Sequence, residues 1–512
     1  MITLSATLQA AQRTLTYVPL WKCVLSRAGE TTRGYDNTRI ISITHPQSPT
    51  SHKAEIVLNN SDRLIYSDGG ATSIDFENYQ VFISYGMRTG IARADWIGTT
   101  GYALDDIVVP TTPNGYQYRC AIAGNSGAAE PTPWPTDLGV RKADSTVTWE
   151  MDGNTGDEYC YLAPLRVRVQ ELHSGRGILR CILRTTGIPD QLAEDKAVRT
   201  YTQDAEDTNT VQDLITAIAG ATLRSYDAVG YTAYTVAYDS TDGIIETFVP
   251  ADYFSVSLNE SRWDKIQELL DYTGCKMRIG TDGNIHIFNP NTAGAYDYQY
   301  VFNVRGDHTF FNKSTRLRFV NPNEEVVRSM PDQGVFTGNA TSATSYALAP
   351  KTHTTQGRFI SNAQCTSIAE AKIEQNELDA ERGFATVPMN VGQELWDRVL
   401  VTDSRLGDTR NGNIQYLQRN VKIPIGNEGL TFNMAVSFGK VSIQSLMANA
   451  LASGDGRYTN EQIMSMIDAL SENQKILFAN HKSLYDYLIP GDDVHFNKLQ
   501  VHEQMIIPVW EI

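Results

Sequence analysis

Strict alternation of apolar and polar residues is the commonest pattern along the first two hundred positions. "RIISITHPQSPTSHKAEIVLNNSD" holds two alternating runs around a Pro/Ser turn, and "YQVFISYGM" adds a further strand. From Glu158 onward, "EYCYLAPLRVRVQELHSGRGILRCILRTTGI" predicts two more strands joined by "HSGRG". There Leu165, Val167 and Val169 alternate with Arg166, Arg168 and Gln170, which predicts one buried and one wet face. The period changes to 3.6 at Thr210–Leu223, where Val211, Leu214, Ile215 and Ile218 fall on one helical face.

"NESRWDKIQELLDYTGCKMRIGTDGNIHIFNP" predicts a helix followed by a hairpin. Ser261 caps, Trp263, Ile266, Leu269 and Leu270 form the stripe, and Gly274 supplies the stop. "CKMRI" and "IHIF" then flank a tight Thr-Asp-Gly-Asn turn. Residues 321–357 are rich in Ser, Thr, Asn, Gly and Pro and read as an exposed polar loop or lid. "SIAEAKIEQNELDAERG" reads as a helix, and "DRVLVTDSRLG" and "GNIQYLQRNVKIPI" as strands. The last seventy residues differ again. Thr459 and Gln462 form a capping box before a helix of about eight turns. Ile463, Leu470, Leu477 and Leu484 recur every seven residues, beside Ile467, Gln474, His481 and Leu488. Such a seam suits oligomerisation or a partner helix, while a lone amphipathic helix on its own subunit is the plain alternative. "IIPVWEI" closes the chain as a strand candidate.

Composition narrows the class. The 512 residues allow several domains, and 41% hydrophobic with 20% charged residues describe a core-forming chain. A net charge of −16 argues against wrapping nucleic acid, which needs a Lys/Arg surplus. No apolar run approaches bilayer length, and the N-terminus lacks the pattern of a signal peptide. Cys23, Cys120, Cys160, Cys181, Cys275 and Cys365 lie far apart without a paired spacing, so small buried thiols are expected and zinc is not. His495, His502 and Glu503 have no recognised ligand spacing, and no phosphate loop, dinucleotide fingerprint or hydrolase elbow is present. Neither a metal nor a cofactor is expected, and enzyme activity is not.

Several segments in fixed order resemble the tail hub proteins of long-tailed bacteriophages. They are "RIISITHPQSPTSHKAEIVLNNSDRLIYS", "VFISYGM", "APLRVRVQELHSGRGILRCILRTTGIPDQLAEDKA", "ESRWDKIQELLDYTGCKMRIGTDGNIHIFNP" and the run around Asp397–Asp403. The resemblance covers roughly residues 30–93 and 156–440. It implies a mainly β (α+β) chain of two tail-tube-like domains with short packing helices, residues 1–93 plus 156–250 and residues 251–440. Residues 441–512 would form the C-terminal helix and terminal strand. It further implies a homotrimer in the virion, made in the host cytoplasm, that joins the tail tube and distal tail proteins to tail-tip or fibre proteins. Genomic DNA would pass through its bore without specific binding. A receptor-binding or fibre-adaptor protein and a tail-associated cell-wall hydrolase are the alternative readings.

Residues 94–155 interrupt the first of these domains. Their order of "GY…D-x-V…GY-x-Y…C…AG-x-SG…EP-x-PWP…V-x-W" resembles a small β module of phage tail and fibre proteins that is likened to carbohydrate-binding modules. That resemblance implies contact with host-surface carbohydrate. Sugar binding needs an exposed aromatic face. Trp134, held between Pro133 and Pro135, is the first candidate, followed by Tyr116 and Tyr118 on one strand face and by Trp96. Trp149 is expected in the core.

Overall fold

The computed structural model describes residues 2–14, 16–66, 74–175, 178–302, 308–315, 319–330, 334–381, 383–424 and 429–439. The seven-residue repeat from Ile463 to Leu488 lies outside them. The described chain is mainly β, with short helices packed at its flank.

One 14-stranded sheet system dominates the described residues. Its first half uses strands Pro19–Ser26, Arg33–Asp36, Ile40–Ser48, Ser51–Asn59, Gln80–Arg88, Asp157–Tyr161, Leu165–Gly175 and Ile178–Thr186. Its second half uses Tyr298–Val301, Asn312–Thr315, Gly383–Pro388, Arg398–Asp403, Asp408–Lys422 and Thr431–Phe438. A single antiparallel ladder joins the halves, running from Ser42 opposite Lys422 to Gln47 opposite Leu417. Both halves turn their apolar residues into one continuous core, from Leu25, Ile56 and Ile83 to Val387, Leu417 and Val436.

The long hairpin departs from simple alternation. Leu165 and Val167 are buried as expected, but the register shifts between Val167 and Val169. An extra residue in one strand reverses which face later residues occupy. Gln170 therefore takes the core-facing position opposite the buried Leu183, and Val169 turns outward, 44% exposed. Gln170 is satisfied there, donating to the Ile74 carbonyl and accepting from the Phe76 N–H.

A second apolar cluster is built around the helices Val211–Ala219, Arg262–Leu270 and Asn362–Ala380. Thr210 and Ser261 cap the first two, each accepting from the backbone N–H three residues on. The second ends at Leu270, ahead of Gly274. Lys276–Ile279 and Ile285–Phe288 pair as the hairpin the sequence predicts. Residues from both sides of position 250 fill this cluster, Ile215 and Phe248 alongside Ile266 and Cys275.

The stretch 321–357 is not a loop. Glu324–Ser329, Thr337–Thr341 and Thr352–Gly357 form a three-stranded sheet, with the helix Ala343–Leu348 between the last two. Its pattern is hidden because an inward position is Glu325 rather than an apolar residue. His353 Nδ1 lies 2.9 Å from the Glu325 carboxylate, and the Thr355 hydroxyl donates to it, so the buried acid is partnered across the sheet. A helix at Ala6–Gln12, capped by Ser5, also lacks a sequence signal strong enough to predict.

Candidate functional site

The segment 94–155 forms its own five-stranded sheet over its own small core of Trp96, Val108, Tyr118, Cys120, Trp134, Val147, Trp149 and Met151. Asp144 organises that core. Its buried carboxylate accepts from the indole N–H of both Trp96 and Trp149 at 2.9 Å, and from the Gly127 N–H at 2.8 Å. Trp134 donates to Glu130 at 2.9 Å, and its ring centroid lies 4.3 Å from that of Tyr118 and 6.1 Å from that of Trp149. The Tyr118 hydroxyl donates to the Pro135 carbonyl at 2.8 Å, which ties the Pro-rich stretch to the sheet.

These contacts place the expected sugar-stacking residues in the interior. Trp96, Trp134 and Tyr118 are 7, 9 and 0% exposed. Tyr116 is half-buried against the same core. Tyr116 and Tyr118 do share a strand face, but it is the core face. A sixty-residue module with few large aliphatic residues must bury its aromatics to gain a core at all. The rings that would stack on a sugar are spent on one another.

The chemistry of the module lies instead in its seat on the first half of the sheet. Strands Gln80–Arg88 and Asp157–Tyr161 are direct neighbours, and the N–H groups of Thr89 and Gly90 both reach the Gly156 carbonyl. The two ends of the segment therefore meet. Between them, Lys22 rises from the strand Pro19–Ser26 and donates to both the carbonyl and the carboxylate of Asp152. Tyr161 and Gln117 also donate to that carboxylate, at 2.6 and 2.9 Å. Burial works to raise the Asp152 pKa, but Lys22, Tyr161 and Arg119 together hold it below the ordinary carboxylate value. Arg119 continues the network to Glu150 and Asp105, each at 2.8 Å. Leu138 of the module presses on Gly34, where a Cβ would stand 2.4 Å from the Leu138 carbonyl oxygen, so only glycine fits. Lys22 and Asp152 thus bury their charges against each other, with Tyr161 and Gln117 completing the carboxylate's partners.

Sequence reasoning passed over Lys22, Asp144 and Asp152. A signal was present for Lys22, a lone cation inside the apolar run "PLWKCVL". Nothing local distinguishes the two aspartates from solvated ones.

A second concave feature lies where the helical cluster meets the ladder between the sheet halves. A cleft of about 40 Å³ is lined there by Gln47, His52, Trp263, Arg278, Glu394 and Arg419, among others. Arg278 pairs with Glu394 at 3.1 Å. Burial pushes the Asp397 carboxyl up to about 7, although it accepts from the Glu394 N–H and the Gln393 amide. Trp396, at φ 69°, donates its indole N–H to the Met277 carbonyl and so ties the helical side to the sheet. Among the described residues no group of three His, Cys, Asp or Glu side chains could hold a metal ion, and no helix is long and apolar enough to cross a membrane.

Solved structures similar to this chain include tail proteins. One from Neisseria meningitidis MC58 is 8% identical with a TM-score of 0.48, covering 83% of this chain and 98% of that one. The 43 kDa tail protein of prophage MuSo2 from Shewanella oneidensis is 10% identical, TM-score 0.42, covering 82% and 98%. A prophage tail protein from Listeria monocytogenes is 12% identical, TM-score 0.40, covering 84% and 98%. No family model matches the chain, and no curated protein matches it.

Proposed function

We propose that the chain is a structural tail hub, three copies of which close into a ring between tail tube and tail tip. The observation that carries this is the edge of the long hairpin. Leu165 and Arg166 pair with Val81 and Gln80, and beyond Val167 no strand among the described residues pairs with the outer edge up to Gly175. Val169, Leu172 and Ile178 on this hairpin are 44, 44 and 42% exposed. An unpaired edge with exposed apolar side chains is a template for another chain. The order of the hub-like sequence segments and the mainly β architecture support the same reading.

Such a ring would act by geometry, with no chemical step. Its acidic total charge suits a conduit that phosphate must pass without sticking. The module would be a fixed projection rather than a hinged one, because its seat is a buried ion pair. The reading assigns it no sugar, since the four aromatic residues expected to present one are core or half-buried. Negative-stain imaging of the purified chain tests the proposal: rings with a central opening support it, and uniformly small single particles count against it.

A further inference from the structure

The ladder joining the two sheet halves encloses a chain of hydrogen bonds that converges on His52 Nε2 from two sides. Arg419, from the strand Asp408–Lys422, donates through Nη1 to Gln47 Oε1 at 2.8 Å. That fixes the Gln47 amide so that its nitrogen points at His52 Nε2, 2.6 Å away. His45 Nε2 lies 2.7 Å from the same atom, the two rings parallel within 7° and meeting edge to edge with centroids 4.9 Å apart. On the other side, the Tyr85 hydroxyl stands 3.3 Å from His45 Nδ1. The amide can only donate, so His52 Nε2 accepts, and His45 Nε2–H is the second donor to it. His52 must be neutral for this arrangement to exist, and burial holds His45 neutral beside it. A proton on His52 Nε2 would face two donors and break both bonds at once.

The charged groups around the pair do not favour that proton. Arg419 is buried beside it and contacts Gln47 and the Gln393 carbonyl rather than a carboxylate. Asp190, at the start of the helix Ile188–Glu194, meets the His52 backbone N–H, Ser51 and Lys53, not the ring. Across the cleft, Glu394 and Asp397 are shared with Arg278. Tyr85 and Cys160 are neutral, burial pushing both pKa values up. Burial likewise lowers His45 far below its usual value and His52 to about 3. The cleft, whose wall includes His52, Gln47 and Arg419, gives water an approach to the pair.

We propose that the His45–His52 pair is an acid-sensitive lock on the joint between the two sheet halves. Proton uptake requires the ladder Ser42–Gln47/Leu417–Lys422 to open, so acid loosens the joint. This inference rests on the ladder alone and does not depend on the tail hub reading. The sign follows from linkage. The open joint binds protons at an ordinary histidine value near 6.5 and the closed joint does not, so opening is favoured as pH falls below that value. One histidine raises the open population by about ten-fold per pH unit and two by up to about a hundred-fold. Asp397 acts oppositely if it is released with the joint, because its proton is held more tightly closed than open. The net expectation is then a rise of several-fold, and at most about ten-fold, per unit between pH 6.5 and 5.

Amide hydrogen exchange on the full chain, corrected for the intrinsic pH dependence of exchange, tests this. Protection of residues 42–47 and 417–422 is expected to fall several-fold, and at most about ten-fold, per unit over that range, while the module strand Tyr116–Ile122 keeps its protection. His52→Gln, which cannot take up the proton, is expected to flatten the profile. Unchanged protection at the joint, or an equal loss in the module, overturns the proposal. Should the variant fail to fold, the wild-type comparison of joint with module still decides.

Discussion

Lys22 and Asp152 form a buried ion pair across 130 residues of sequence, joining the strand Pro19–Ser26 to the last strand of the module, Val147–Asn154. Because neither group reaches water, the pair works as a fitting rather than a surface contact. Removing one partner strands the other charge in the interior, at a cost of about 3–5 kcal/mol. Lys22→Met is therefore expected to lower the unfolding free energy by that order in a denaturant titration. The double variant Lys22→Met/Asp152→Leu is expected to recover part of the loss, since it removes both charges together.

Trp134→Ala is expected to act on the fold of the module. A buried tryptophan truncated to alanine costs about 3–5 kcal/mol, and the loss is expected as faster exchange across Tyr116–Ile122 and Val147–Asn154. Asp144→Ala is expected to behave similarly, because two indole N–H groups and the Gly127 N–H lose one acceptor together. A Trp134→Ala chain with unchanged module protection would contradict the core placement.

How much of this was legible beforehand depended on whether the buried positions were apolar. The strands from Ile40 to Asn59 and the helix Arg262–Leu270 announce themselves because the apolar residues Ile40, Ile43, Ile56 and Leu58, and Trp263, Ile266, Leu269 and Leu270, set their period, even though His45, His52, Arg262 and Lys265 are buried beside them. The sheet in 321–357 does not, since Glu325 takes an inward position with a partner supplied from Thr352–Gly357. Val169 faces outward against its place in the alternation because a bulge, invisible in the residue pattern, shifts the register after Val167. Of the module's aromatics, the pattern marks Trp149 as core but leaves Trp134, Tyr116, Tyr118 and Trp96 reading as outward-facing. Their number signalled a core, and only the Asp144 and Glu130 acceptors show how their polar edges are satisfied inside.

The thiols give a prediction of a different kind. All six cysteines are free and buried. Burial pushes Cys120 up to about 11 and Cys160, Cys181 and Cys275 up to about 12, leaving almost no thiolate at neutral pH. No reaction with a thiol reagent is expected at pH 8 in the folded chain, and six equivalents are expected in denaturant. A thiol that reacts promptly in the native state would place one of them at the surface.

The central claim is that the free hairpin edge closes the chain into a trimer, and the mass in solution tests it most directly. Light scattering coupled to size exclusion is expected to give about three times 56.8 kDa for the wild type. For Val169→Lys/Leu172→Lys it is expected to give a single chain's mass with the unfolding transition unchanged, because both side chains are exposed. A wild-type chain of 56.8 kDa at every concentration, or a trimer indifferent to both substitutions, would contradict it.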